Sequence, residues 1–231
     1  MKDPIDHDIA YDMADEFTTL LKHLWHEQEP FDFEGDYYHC YGAVVKPGPS
    51  RNPRPVLMNA GTSPAGLEYG AKHADWIFTL TDFDHYADKV KDIHDRAAKY
   101  KRDVRVATMC WFLAEATDEL AQEKFEELKA EIDTDAVRTF ARSLTGGGSA
   151  WLEKSDDDEY GGVDKDTFER IAFGFFSPQI VGSYDTIAEK FRQLKETGLE
   201  SLLISFYDPQ KGLHQMQDEV IPRLKAMGLR T

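Results

Sequence analysis

The sequence predicts an α/β protein built on a parallel β-sheet. From Pro55 onward, short runs that are apolar at nearly every position alternate with amphipathic stretches. Continuous apolar strands separated by helices are typical of a parallel sheet that is covered on both faces. Of the 231 residues, 41% are hydrophobic and 12% are aromatic, which is enough to bury a core.

The chain is predicted to begin with a helix and a small hairpin. Over Asp8–His26 the apolar residues recur every three or four positions, which is the spacing of one buried helix face, and Pro30 ends this helix. Aromatic-rich segments on either side of Glu34, Gly35 and Asp36 then predict a β-hairpin, followed by a Pro-rich connection.

Four strands, each with an amphipathic helix after it, are predicted for the rest of the chain. The strands are Val56–Gly61, Trp76–Leu80, Val104–Ala114 and Leu199–Asp208. The helices are SPAGLEYGAKHA, Asp82–Tyr100, a stretch from Thr117 towards Ile132, and the final GLHQMQDEVIPRLKAMGLR. A further helix begins after Gly182 at Ser183, a natural N-cap, and its buried stripe is Ile187, Phe191 and Leu194.

The middle of the chain, residues 133–177, interrupts this alternation. It contains TGGGS at Thr145–Ser149 and SDDDEYGG at Ser155–Gly162, between two predicted helices. An acidic run is most often a solvated face or mobile loop, and the alternative is a lid with Gly hinges. The triple Gly does not indicate a phosphate loop, because no Lys-Ser/Thr pair follows it. We therefore predict one domain over residues 1–231, with 133–177 as an insertion or lid.

Four parallel strands with helical crossovers make half of a (β/α)8 barrel or a small doubly wound sheet. A complete barrel takes about 250 residues, and here an N-terminal helix and an insertion use part of the length. The first clear element is a helix with no strand before it, so an upstream half is expected to be absent.

Charge and cysteine usage exclude several classes of function. The chain has 27 Lys and Arg against 43 Asp and Glu, a formal net charge of −16, which argues against nucleic acid and anionic membranes as partners. Two cysteines, Cys40 and Cys110, make no disulfide framework, and there is neither an export signal nor a membrane-length apolar stretch. We expect a soluble cytoplasmic protein. The eight histidines lack ligand spacing, so no metal site is predicted.

Several motifs, in order, resemble one enzyme family. AYDMADEF, FDFEGDYYHCYGAVVKPGP, RPVLMNAGTSPAGLEYGAKHADWIF and IVGSYDTIAEKFRQLKETGLESLLISFYDPQ resemble the bacterial-luciferase-like, flavin-dependent monooxygenases. That family includes alkanesulfonate, pyrimidine and dimethylsulfone monooxygenases.

The resemblance implies a TIM barrel that holds reduced FMN at the C-terminal ends of its strands, with this chain covering strands five to eight. It also implies a small organic substrate, O₂, a separate reductase that supplies reduced flavin, and a homo-oligomer for the full-length protein. The alternatives are an F420-dependent oxidoreductase of the same barrel family and a truncated remnant without activity.

Ser63 is the main candidate for cofactor binding. It ends a strand and opens a helix, with Pro64 in the first helical position, so bare amides and a hydroxyl meet there as they do at phosphate sites. A plain N-cap is the alternative. The resemblance implies that Ser63 binds the FMN phosphate. Gly61 and Gly66 would let the backbone approach that phosphate, and ordinary turn geometry is the alternative for both. Ser183 is a second possible anion site, although we expect it to be a structural N-cap.

Tyr11 is a further cofactor-binding candidate. By resemblance it matches the Tyr of an Arg-Tyr pair near the flavin phosphate and ribityl chain. The preceding residue here is Ala10 rather than Arg. The alternative is an aromatic that only packs its helix.

The substrate-pocket candidates are Asn59, Met109 and Trp111. The alkanesulfonate enzymes carry Arg and His where this chain has Met109 and Trp111, so a sulfonate is disfavoured. An apolar or heteroaromatic substrate that stacks on Trp111 fits better, and plain core packing is the alternative. Asn59 either points into the barrel mouth or caps the neighbouring loop. Cys110 is expected to be a buried, inert thiol. No catalytic residue is assigned.

Overall fold

The computed structural model describes residues 5–50, 54–146 and 158–230. The helices are α1 (His7–His26), α2 (Pro64–His73), α3 (Tyr86–Lys99), α4 (Asp118–Ala130), α5 (Thr134–Gly146), α6 (Lys165–Gly174), α7 (Tyr184–Glu196), α8 (Pro209–Gln215) and α9 (Ile221–Ala226). The strands are β1 (Phe31–Glu34), β2 (His39–Ala43), β3 (Met58–Asn59), β4 (Trp76–Phe78), β5 (Arg105–Glu115), β6 (Gln179–Ser183) and β7 (Ser201–Phe206).

The chain has an α/β fold with parallel strand pairing, as predicted, and it divides into two compact units. The first unit takes in the chain up to Phe78 together with Ile93–Arg105, and the second takes in Thr79–Asp92 and the chain from Val106 onward. Among the described helices, none is long and apolar enough to cross a lipid bilayer.

In the first unit, α1 anchors the predicted hairpin. β1 and β2 pair in the antiparallel sense. The carboxylate of Glu16, on α1, accepts hydrogen bonds from the backbone amides of Asp36, Tyr37 and Tyr38 at 2.7, 3.0 and 2.6 Å. Three convergent N–H donors make an anion-binding turn, and Glu16 occupies it.

The first parallel pair, β3 and β4, is shorter than predicted. The register is Met58 opposite Trp76 and Asn59 opposite Ile77. At one end the amide of Leu57 donates to the Asp75 carboxylate at 2.9 Å, and at the other the amide of Gly61 donates to the Asn59 side chain at 3.0 Å. These side-chain acceptors take the amides that a longer ladder would use, so β3 ends early.

The second unit is organised around the long strand β5. Its residues Ala107–Phe112 pair in parallel with β7, and Trp111–Glu115 pair in parallel with β6. The strand β6 is absent from the sequence-based prediction, which treats IVGS only as the approach to a helix. The helix α7 begins after its N-cap Ser183 as predicted, and Ile187, Phe191 and Leu194 are buried.

The inserted region has the two predicted helices, α5 and α6. They share a buried cluster made by Ala141, Val163, Phe168, Ile171 and Phe176. Residues 147–157, which hold the triple-Gly motif beyond Gly146 and the start of the acidic run, lie outside the described residues.

The C-terminal helix is predicted as one element but forms α8, a π-helical turn over Met216–Val220, and α9. Pro222 has no N–H for the ordinary helical hydrogen bond, which favours a widened turn before it.

Candidate functional site

Ser63 lies just beyond the C-terminal end of β3 and caps the start of α2. Its Oγ accepts a hydrogen bond from the Gly66 amide at 3.1 Å, and Pro64 is the first helical residue. The N-cap role of Ser63 is therefore confirmed. Since Pro64 has no N–H and Ser63 takes the amide of Gly66, the amide that α2 offers to a ligand is that of Ala65.

Gly61 and Gly66 approach each other as closely as backbone permits. A Cβ added to Gly61 would lie 3.0 Å from Cα of Gly66 and 2.6 Å from the Tyr11 hydroxyl. A Cβ added to Gly66 would likewise lie 2.6 Å from that hydroxyl. The structure thus brings Tyr11, Gly61, Ser63 and Gly66 together in one cradle, which any side chain at either glycine would fill.

Asn59 stabilises this cradle through a side-chain hydrogen bond to its backbone. Its Oδ1 accepts from the Gly61 amide at 3.0 Å. A Cβ added to Gly70 would lie 2.9 Å from the same oxygen, so that oxygen is closely packed. This is the loop-capping alternative for Asn59, and its contact with a substrate stays a prediction.

Tyr11 is half-buried between two other rings. The ring of His7 lies 5.1 Å away in an edge-to-face arrangement, and the ring of Tyr69 lies 5.8 Å away. The Tyr69 hydroxyl is 2.7 Å from the hydroxyl of Thr18, which fixes its orientation. Sequence reasoning missed both neighbours, although the i, i+4 spacing of His7 and Tyr11 on one helix is a readable signal for the first.

Met109 and Trp111 share one face of β5, but only Trp111 is deeply buried. Its side chain is 3% exposed and packs against Phe125 of α4 and Phe173 of α6, with ring centroids 5.9 and 5.1 Å away. Met109 is partly exposed. Trp111 therefore belongs to an aromatic cluster, which agrees with the core alternative, and its contact with a substrate stays a prediction.

Trp111 also lines a cavity of about 820 Å³ in the second unit. Its apolar wall includes Leu128, Ile132, Val137, Phe173 and Tyr207. Its charged residues are Lys124, Glu127, Glu131 and Asp133, and Lys124 is paired with Glu127 at 2.8 Å. The cavity is apolar inside with a net negative rim.

The opposite face of β5 is core. The Thr108 hydroxyl is 2.6 Å from the hydroxyl of Tyr86, and Cys110 is fully buried. Burial raises the pKa of the Cys110 thiol to about 12, so it stays protonated and inert, as predicted.

Ser183 is a structural N-cap, as expected. Its Oγ accepts from the Thr186 amide at 3.2 Å. Its own amide donates to the carboxylate of Asp118 at 2.6 Å. This hydrogen bond and one from the Thr186 side chain lower the pKa of Asp118. A carboxylate therefore already accepts hydrogen bonds at the N-terminal end of α7, which disfavours a second anion there.

No group of three or more His, Cys, Asp or Glu residues in the described part of the chain is arranged to hold a metal ion.

The family model described as luciferase-like monooxygenase matches residues 2–201. The chain is 28% identical over 226 residues to an FMNH2-dependent dimethylsulfone monooxygenase of Pseudomonas putida, covering 96% of this chain and 61% of the relative. It is 30% identical over 229 residues to the pyrimidine monooxygenase RutA of Enterobacter sp. (strain 638), covering 94% and 58%.

A solved structure shows the same fold. Riboflavin lyase RcaE, crystallised with modified FMN and riboflavin, superposes with a TM-score of 0.81 at 21% identity, over 98% of this chain and 60% of that one. In each of these three comparisons the chain spans about 60% of the other protein.

Proposed function

The chain belongs to the luciferase-like monooxygenase family, and from that premise we propose that it is part of an enzyme that uses reduced FMN and O₂ to oxidise a small organic substrate. Two relatives support this, since the one is described as FMNH2-dependent and both as monooxygenases. The observation in this chain that carries the proposal is the cradle of Tyr11, Gly61, Ser63 and Gly66 at the start of α2.

We propose a finer architecture on the same basis. In chain order, β3, β4, β5 and β7 correspond to strands five to eight of a TIM barrel, with β6 as an addition. Residues 1–231 form one luciferase-like domain that lacks the first half-barrel, and 133–177 act as an insertion or lid. A cytoplasmic location, a partner flavin reductase and a homo-oligomer for the full-length protein complete the proposal.

The cradle fits a phosphate group. Ser63 Oγ accepts from Gly66, so its hydroxyl hydrogen is available to donate to a phosphate oxygen, alongside the amide of Ala65. The missing Cβ atoms of Gly61 and Gly66 make room for the Tyr11 hydroxyl, which lies against the loop that leads into α2. When bound, FMN supplies the redox chemistry that activates O₂. The residues of this chain bind its phosphate and position it.

The cavity beside Trp111 fits the substrate. Its apolar wall excludes water, which protects reactive species from hydrolysis. The rim carboxylates of Glu127, Glu131 and Asp133 repel a sulfonate and favour a neutral or cationic group. We therefore propose an apolar or heteroaromatic substrate without negative charge, with Trp111 and Met109 on the strand that faces it and Asn59 supporting the flavin loop.

Thermal unfolding of the chain with reduced FMN tests the proposal. At one hundred times the dissociation constant, a bound flavin adds about 2.7 kcal/mol to the free energy of unfolding, a readily measured rise in Tm. The same measurement with reduced F420 tests the alternative cofactor. Stabilisation by FMN supports the proposal, stabilisation by F420 alone favours the dehydrogenase alternative, and stabilisation by neither supports the remnant without activity.

A further inference from the structure

A basic cavity lies at the C-terminal end of α1. Its volume is about 300 Å³, and it is lined by Lys22, His23, His26, Glu27 and Arg54. Four of these five residues are Lys, His or Arg, and Glu27 is the one carboxylate among the described residues that line it. Lys22 and Arg54 supply its positive charge against one carboxylate, in a chain whose net charge is −16.

The ammonium of Lys22 lies against a histidine ring beside the cavity. Its Nζ lies 3.0 Å from Nδ1 of His73, whose Nε2 lies 2.8 Å from the carboxylate of Asp15. His73 is 5% exposed, and a ring that donates from Nε2 to Asp15 has an acceptor at Nδ1 for the Lys22 ammonium. Lys72 pairs with the same Asp15 at 2.7 Å, so that carboxylate is already neutralised.

The surroundings of Lys22 are positive. Burial comes first, then the charges of Arg102 and Arg54, and together they lower the pKa of Lys22 to about 8, although the carboxylates of Asp75 and Asp15 act in the opposite sense. Arg54 is itself held by Asp75, with both hydrogen bonds 2.7 Å long. Asp15 and Asp75 are the carboxylates that act on Lys22, and each is already paired with another cation, Lys72 or Arg54. A half-buried ammonium in this setting gains from an anion that enters the cavity.

We propose that this cavity binds a small oxyanion carrying two or more negative charges, such as a phosphate group, with Lys22 as its main ligand and His23 and His26 beside it. Its volume is at the small end of ligand pockets and leaves room for one such group together with water. Lys22 lies 11 residues (22 − 11) along α1 from Tyr11, which is about 16 Å. The site is thus separate from the cradle at Ser63 and does not depend on it.

Binding is linked to protonation. A bound anion stabilises the charged form of Lys22 and raises its pKa, so binding takes up protons near pH 8. The affinity is present below that pH and declines as the pH rises through it, because the amine then loses its charge.

Amine labelling of the unmodified chain tests the site. Acetic anhydride is applied at pH 8 at fixed ionic strength with inorganic phosphate, glycerol phosphate, citrate or chloride, and the peptides that carry Lys22 and Lys72 are quantified by mass spectrometry. We expect phosphate to slow the labelling of Lys22 about tenfold relative to chloride and to leave Lys72 unchanged. Glycerol phosphate and citrate then show whether a phosphate ester or a polycarboxylate is also accepted. Equal labelling of Lys22 in phosphate and chloride, or equal protection of Lys72, would overturn the proposal.

Three variants give an independent measurement by calorimetric phosphate titration. Lys22→Met is expected to weaken phosphate binding about tenfold or more, whereas Lys22→Arg keeps the charge, retains binding and abolishes the decline near pH 8. The matched control Lys129→Met removes a lysine of α4 that pairs with Glu126 at 2.6 Å and does not line the cavity, so it is expected to leave binding unchanged. Phosphate binding that survives Lys22→Met but is lost in Ser63→Ala would show that the anion uses only the α2 cradle, and the proposal would fail while the proposed function stands.

Discussion

Replacing Ser63 with Ala separates a helix cap from a cofactor ligand, because the chain contains a matched control. Ser63 Oγ accepts from the Gly66 amide at 3.1 Å, and Ser183 Oγ accepts from the Thr186 amide at 3.2 Å. Both Ser→Ala changes remove the same kind of cap, which costs about 1 kcal/mol of stability. In a chain of this size, that lowers Tm by about 2–4 °C in each variant.

Only Ser63→Ala also removes a donor to the flavin phosphate. A hydrogen bond to a charged group contributes about 1.5–3 kcal/mol, so the affinity for FMN is expected to fall roughly ten- to hundredfold. Riboflavin has no phosphate, and its affinity is expected to stay the same. The carboxylate of Asp118 already occupies the N-terminal end of α7, so Ser183→Ala is expected to leave the affinities for FMN and for riboflavin unchanged.

The assay is an anaerobic titration of the wild-type chain and both variants with reduced FMN and reduced riboflavin, alongside their melting temperatures. Equal losses of FMN affinity in Ser63→Ala and Ser183→Ala would refute the reasoning. So would a loss of riboflavin affinity in Ser63→Ala as large as the loss for FMN.

Three further predictions concern the cradle and the thiols. Ala10→Arg adds a cation near the phosphate and is expected to tighten FMN binding about tenfold, with a smaller gain at high salt. An FMN affinity that is unchanged at low salt would contradict this. Gly66→Ala places a Cβ 2.6 Å from the Tyr11 hydroxyl, so we expect a loss of about 1–3 kcal/mol in urea denaturation, partly recovered when Tyr11→Phe removes that oxygen. Iodoacetamide at pH 8 is expected to alkylate the partly exposed Cys40 and to spare the buried Cys110 in the native chain. Mass spectrometry that finds both thiols modified at similar rates would contradict the burial of Cys110.

Local chemistry explains why so many elements were predictable. Ser63, Thr117 and Ser183 each act as N-cap of the helix that follows, and caps are readable from residue type and position alone. The hairpin was readable from the turn residues around Gly35, which lie between two aromatic-rich segments. The bounds of the strands were less so, because Asp75 and Asn59 shorten β3 through side-chain hydrogen bonds that depend on the fold.

Long-range contacts account for what the sequence could not show. The strand β6 exists only because the end of β5 pairs with it, and nothing in IVGS itself separates a strand from a helix approach. The contact of the Tyr11 hydroxyl with Gly61 and Gly66 spans some fifty positions of the chain, 61 − 11 = 50 for the first. Resemblance to a family, rather than spacing, identified Tyr11 as a site residue. The link from Lys22 through His73 to Asp15 carries no sequence signal at all, since each is an ordinary helical residue when read alone.

The most direct test of the flavin-phosphate cradle is the backbone amide spectrum of the ¹⁵N-labelled chain. On titration with FMN the resonances of Ala65 and Gly66 should move in a saturable way, those of Thr186 should stay in place, and riboflavin should leave the first two where they are. Shifts at Ala65 and Gly66 that are the same with riboflavin, or no shift there at FMN concentrations that stabilise the chain, would contradict the claim that the start of α2 holds the phosphate.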